Sequence, residues 1–144
     1  MINDVEDLEV YNRSMGLLPA VYNIARKLPR NEYKRRFQLT DAASGIPAQI
    51  AEGFGKRRSE KEFKRFLNMS LGSSDEVITH LRQIIIIGFA NSNVEDCNKL
   101  IAEYKIVSKQ INTLIKVWRN FGSDKSYQSD SPIDPKKLRT RVAR

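Results

Sequence analysis

The sequence predicts an all-α protein: an antiparallel up-down-up-down four-helix bundle followed by a disordered basic C-terminal tail. Three observations predict it. Apolar residues recur at steps of three, four and seven in four successive segments, as on one face of a helix. Short links rich in glycine, proline or polar residues separate those segments, which suits antiparallel neighbours. No segment shows the apolar–polar alternation of a strand bounded by turns. At 144 residues the chain fits one core, with the bundle expected over residues 1–121 and the tail over 122–144.

Helix one is expected from Val5 to about Leu28, with Val5, Leu8, Met15, Leu18, Tyr22 and Ala25 on its apolar stripe. Pro19 lacks an amide hydrogen, so a kink or a join between two shorter helices is expected there. Helix two runs from about Tyr33 with Leu39, Ala43, Ile46, Ile50 and Phe54 as its stripe, and Ser44, Gly45 and Pro47 predict a local bend. Gly53 and Gly55 then read as left-handed stop positions. Helix three starts on a capping box, Ser59 with Glu62, in which the hydroxyl accepts a first-turn amide and the carboxylate reaches back. It is expected to run from Glu60 to about Phe89. Asn93 is the expected cap of helix four, whose stripe is Val94, Cys97, Ile101, Tyr104, Val107, Ile111, Leu114, Trp118 and Phe121. Beyond it, the run KKLRTRVAR holds five basic residues in nine and no acid, the composition of a solvated tail.

Lysine and arginine number 25 against 17 acidic residues, a formal net charge of +8, which points to acidic partners. A single cysteine and an N-terminus without a basic leader and apolar core predict a cytoplasmic protein. No stretch approaches about 18 uninterrupted apolar residues, so a soluble chain is expected.

The segment GFGKRR (53–58) resembles a phosphate loop only superficially. A P-loop needs G-x-x-x-x-G-K-[ST] after a strand, and a dinucleotide loop needs a third glycine; both patterns fail here. The plainer expectation is a helix stop whose Lys56, Arg57 and Arg58 complement the negative end of helix two and can also hold an anion. A di-metal bundle needs two Glu-x-x-His motifs, whereas this chain has one histidine, His80, four residues after Glu76. Cys97 falls on an apolar stripe as a structural thiol. No catalytic residue, metal site or cofactor is predicted. Glu52 lies away from the Ile46–Ile50–Phe54 side and reads equally as a solvated carboxylate or a polar subunit contact.

The run IIIIGF is more informative. At 100° per residue from Phe63, Leu81, Ile84 and Ile85 stay on the core stripe, while Ile86 and Ile87 fall at about 140° and about 240°. A second apolar environment is expected for these two: a wide four-helix core could absorb Ile87, and the favoured alternative is burial between subunits of an oligomer.

The segments LEVYNRSM, AASGIPAQIAEGFGKRRSEKEFKRFLNMSLGSSDE and HLRQ resemble the four-helix-bundle proteins encoded in intervening sequences of bacterial 23S rRNA genes. The similarity spans about residues 5–120, with its most specific part at Ile50-Ala51-Glu52-Gly53, Ser59, Glu62-Phe63, Phe66-Leu67, Gly72-Ser73 and Glu76. It implies a homopentamer without catalytic residues. It also brings in related accessory proteins of diversity-generating retroelements, basic pentamers that engage a reverse transcriptase and nucleic acid. The chain departs from the usual pattern at Thr40-Asp41, Gly45 and Gln49.

Two functions are weighed. One is a basic oligomeric scaffold that binds RNA or DNA, with or without a reverse transcriptase partner. Arg26, Lys27, Arg30, Lys34, Arg35 and Arg36 are expected at one end of the bundle. Lys56, Arg57, Arg58, Lys61, Lys64, Arg65, Lys116 and Arg119 gather at the other, joined by Lys136, Lys137, Arg139 and Arg141 of the tail. The second end is the expected nucleic-acid site, with Ile86, Ile87 and Glu52 at the oligomer interface. The alternative is a structural or protein-interaction oligomer without nucleic acid: Glu60 and Glu62 alternate with the cations, and on this reading the basic runs lack the interleaved aromatic residues of a single-strand platform.

Overall fold

A computed structural model describes residues 2–90 and 93–119. Among them the chain forms one 3₁₀ turn, Val5–Asp7, and five α-helices: α1 Glu9–Gly16, α2 Leu18–Arg26, α3 Tyr33–Gly55, α4 Glu60–Ile87 and α5 Val94–Val117. The pair α1 and α2 makes the first arm of the bundle, and α3, α4 and α5 are the other three. Each arm packs on its neighbour in sequence, and α1 also meets α5, so four arms close around one core. No strand occurs among the described residues.

The first arm departs most from expectation. Its join falls at Leu17, whose amide donates to the Arg13 carbonyl at 3.1 Å and whose carbonyl accepts from Val21 at 3.2 Å. Pro19 lies in the first turn of α2, where its missing amide hydrogen has no intrahelical carbonyl to serve. The buried face is Leu8, Val10, Ser14, Val21, Ile24, Ala25 and Leu28, whereas Met15 and Tyr22 are exposed. Ser14 hid this phase. Its hydroxyl donates to the Tyr11 carbonyl at 2.9 Å, which lets a polar residue occupy a core position.

In α3 the period holds: Leu39, Ala43, Ile46, Ile50 and Phe54 are all buried, and the helix runs through Pro47 to Gly55. Neither Gly53 nor Gly55 is left-handed; the described glycine with positive φ is Gly88, at 94°. Gly53 serves another need. A Cβ there would lie 2.5 Å from Cβ of Phe66 and 3.1 Å from Cδ1 of Phe63, so α3 approaches α4 more closely than any side chain permits.

At the start of α4, Ser59 Oγ accepts the Glu62 amide at 3.1 Å. The Glu62 carboxylate turns to Arg65 instead of reaching back, so half of the expected box is made. The helix ends at Ile87, two residues before the expected Phe89. There Gly88 turns left-handed, its amide donates to the Ile85 carbonyl at 3.2 Å, and the Phe89 amide donates to that of Ile84 at 3.0 Å, a Schellman stop. Asn93 makes no side-chain capping bond; its Oδ1 accepts from Lys27 Nζ at 3.3 Å. Helix α5 ends at Val117, with Trp118 extended. The expected terminal residue Phe121 and the predicted tail, residues 122–144, lie outside the described residues.

Between α4 and α5 a polar chain runs from the core to the surface. Ser74 Oγ lies 3.2 Å from the Tyr104 carbonyl and 2.8 Å from Ser108 Oγ, and Ser108 donates to Asp75 Oδ1 at 3.0 Å. The Tyr104 ring is fully buried and its hydroxyl has no hydrogen-bond partner among the described residues. Burial pushes this phenol well above its ordinary value of 10. An unpaired buried hydroxyl costs about 1 kcal/mol or more, so Tyr104→Phe should match or exceed wild-type stability at pH 7 in a urea titration. The pH sign follows from the raised folded value. The unfolded chain releases this proton from about pH 10 upward while the folded chain retains it, so wild type loses stability as pH rises above that point. Tyr104→Phe should lose less; equal alkaline losses in both proteins would contradict it.

Candidate nucleic-acid interface

The turn from α3 to α4 is short because both helices are stopped tightly. The Lys56 amide donates to the Gly53 carbonyl at 2.9 Å, Arg57 to Phe54 at 3.2 Å and Ser59 to Lys56 at 3.1 Å. Beneath the turn lies an aromatic cluster. Phe54 meets Phe63 edge-on with centroids 6.0 Å apart, and Phe63 meets Trp118, just past α5, at 4.8 Å and 89°. This brings the end of α5 to the same corner.

The corner cations lie across aromatic faces. The Arg57 guanidinium stands 4.0 Å from the Phe54 centroid, while Lys56 Nζ and the Arg65 guanidinium stand 4.8 and 4.5 Å from that of Phe66. Ring contacts of this kind contribute roughly 0.5–1 kcal/mol at exposed sites and fix where the charge sits. Arg57 also donates to the Phe54 carbonyl at 3.0 Å, and Arg119 donates to those of Lys116 and Trp118 at 3.1 and 2.8 Å. Carboxylates interleave: Lys56 with Glu52 at 3.8 Å, Lys64 with Glu60 at 3.1 Å and Arg65 with Glu62 at 3.0 Å. The Arg65 hydrogen bond holds the Glu62 carboxyl below its usual range. Such exposed pairs contribute little each and exchange readily with other anions. Lys56, Arg57 and Arg65 thus converge on Phe54 and Phe66, with Lys61 and Lys64 in the opening turns of α4 and Arg58 in the turn itself. Lys136, Lys137, Arg139 and Arg141 lie outside the described residues.

The opposite end uses part of its charge structurally. Arg36 donates to the carbonyls of Ala25, Leu28 and Pro29 at 3.0, 3.2 and 3.1 Å, clasping the end of α2. Arg35 reaches Glu32 and, across to α4, Gln83, both at 2.9 Å. The reading that the basic runs lack interleaved aromatics is wrong here. In RNEYKRRF, residues 30–37, Tyr33 and Phe37 are 72% and 69% exposed. The signal was present: both aromatics fall outside the Leu39–Ala43–Ile46 stripe and stand four residues apart, on one helix face.

Ile86 and Ile87 are 84% and 50% exposed, turned away from the core as their angles require. Glu52 is exposed beside Lys56. His80 Nε2 lies 3.3 Å from Glu76 Oε2, and its Nδ1 is buried without a hydrogen-bond partner among the described residues. Cys97 is buried, and desolvation, helped by the Asp96 charge, raises its thiol; a neutral thiol is a poor nucleophile. Among the described residues, no three of His, Cys, Asp and Glu gather where they could hold a metal ion, and no helix is long and apolar enough to cross a membrane.

Compared with known families, residues 6–113 match the model of the 23S rRNA-intervening sequence protein. The match covers the first four helices and most of α5. No curated protein matches the chain.

Proposed function

We propose that this chain, which belongs to the 23S rRNA-intervening sequence protein family, is a non-enzymatic cytoplasmic scaffold that assembles as a homo-oligomer, a pentamer by resemblance, and binds RNA at the α3–α4 corner. The observation that carries this reading is the convergence of Lys56, Arg57 and Arg65 on the rings of Phe54 and Phe66. Cations positioned in this way meet phosphates at little further cost in side-chain order. Repetition of the corner around an oligomer multiplies a modest charge into an extended basic surface. Binding through phosphates is salt-sensitive and weakly sequence-selective.

The test is RNA affinity against salt for wild type, for Lys56→Ala/Arg57→Ala/Arg58→Ala, and for a chain truncated after Phe121. Both altered proteins should bind more weakly, and the slope of log affinity against log salt should fall by about 0.7 for each single-strand phosphate contact removed. The pairing of Lys56, Lys64 and Arg65 with Glu52, Glu60 and Glu62 favours a second reading, a structural or protein-interaction oligomer whose surplus charge maintains solubility. Equal affinity and slope in all three proteins would select it. The resemblance to retroelement accessory proteins suggests a reverse transcriptase as protein partner, for which co-purification after co-expression is the test.

A further inference from the structure

We infer that Tyr33 and Phe37 form a base-stacking platform for single-stranded RNA at the end of the bundle opposite the α3–α4 corner. Both rings begin α3, one helical turn apart, and both stand mostly in solvent. Side chains at i and i+4 on a helix are about 5–6 Å apart at Cβ, so a strand can lay neighbouring bases against the two rings. Leaving two large aromatic side chains exposed one turn apart forgoes substantial burial.

The surrounding charge selects the partner. Arg26, Lys27, Arg30 and Lys34 are exposed in the segment that leads into α3 and in its first turn, and Glu32, next to Tyr33 in the chain, accepts from Arg35 at 2.9 Å, while the exposed Asp41 stands one turn beyond Phe37. Aromatic faces for bases set among cations for phosphates are the two components of sequence-tolerant single-strand binding. A self-contact through this patch would press those four cations against their counterparts, which like-charge repulsion disfavours. A duplex offers its phosphates but keeps its base faces stacked, so the rings discriminate for unpaired RNA. This site does not rest on the α3–α4 corner, since it uses none of the same residues.

The test compares three probes by fluorescence anisotropy: a 12-nucleotide oligouridylate, an abasic 12-mer with the same phosphates, and a 12-base-pair RNA duplex. Tyr33→Ala/Phe37→Ala should weaken oligouridylate binding at least tenfold and change binding of the abasic strand and the duplex less than twofold. Tyr33→Phe, which keeps the ring, should retain wild-type affinity. Lys56→Ala/Arg57→Ala/Arg58→Ala should still bind oligouridylate more tightly than the abasic strand, and adding Tyr33→Ala/Phe37→Ala to it should abolish that preference. Both rings are exposed, so the double variant is expected to keep its fold, checked by circular dichroism. Oligouridylate affinity within twofold of wild type in the double variant would overturn the proposal. So would equal losses on the oligouridylate and abasic strands, or a changed oligomeric mass by light scattering, which would mark the patch as a subunit contact instead.

Discussion

Gly53→Ala should destabilise the bundle by about 3 kcal/mol, at the upper end of what overpacking usually costs. The added methyl would meet Cβ of Phe66 at 2.5 Å and Cδ1 of Phe63 at 3.1 Å. A rotamer change can move the ring atom, but Phe66 Cβ is bonded directly to the α4 backbone and cannot swing aside. Relief therefore requires α3 and α4 to move apart, loosening Phe54, Phe63 and Trp118 together. In a domain of this size the melting temperature should fall by on the order of 10 °C. Gly55→Ala is the internal control. No described residue would lie within 4 Å of the added methyl, and the backbone there is not left-handed, so alanine should be neutral or add up to about 1 kcal/mol through helix propensity. Equal melting temperatures for the two variants would remove the close-approach account of Gly53.

Ile87→Glu should convert the proposed oligomer into a folded monomer. Ile87 is half exposed at the last turn of α4 and Ile86 is almost wholly exposed, so the fold of one chain loses little when Ile87 changes. A carboxylate at a desolvated subunit contact is strongly unfavourable. It is also disfavoured at a helix C-terminus by about 0.3–1 kcal/mol, a local effect that Ile87→Lys reverses in sign. Both variants should therefore run as monomers by light scattering with near-wild-type helical content. A wild-type monomer at micromolar concentration, or retention of the oligomer in both variants, would eliminate this contact.

The long helices were legible because their apolar residues keep phase for four turns or more: Leu39 to Phe54 in α3, Leu81 and Ile84 in α4, and Cys97 to Leu114 in α5 with Trp118 just beyond it, lie where the period puts them. The first arm was harder to phase. It is two short helices around Leu17, and a buried serine occupies a position that hydropathy assigns to solvent. Gly53 was misread because glycine near a basic run resembles a stop, although its spacing from Ile46 and Ile50 puts it on the core side. Capping was half legible, since side-chain oxygens choose among competing donors: Glu62 takes Arg65, and Asn93 takes Lys27. The corner cations could be listed from sequence but their arrangement over Phe54 and Phe66 could not, because it depends on where two helices cross. Tyr33 and Phe37 were readable and were overlooked, their run having been counted only for charge.

Aliphatic layers are nearly interchangeable along a bundle, and two helices faced with isoleucine and leucine can slide past each other by a heptad at modest cost. The chain from Ser74 through Ser108 to Asp75 removes that freedom. Shifting α5 by seven residues in either direction would put Ile101 or Ile115 opposite Ser74, strand a hydroxyl in a dry environment and open the bond between Ser108 and Asp75. Such polar contacts add little net stability but penalise every other alignment. The same constraint holds if an α5 is donated by a neighbouring copy, since an exchanged helix can dock only in the frame that restores these bonds. Substituting both serines by alanine should therefore broaden the set of packed alignments more than it lowers the melting temperature, visible as extra amide resonances for α5 in a protein that still melts cooperatively.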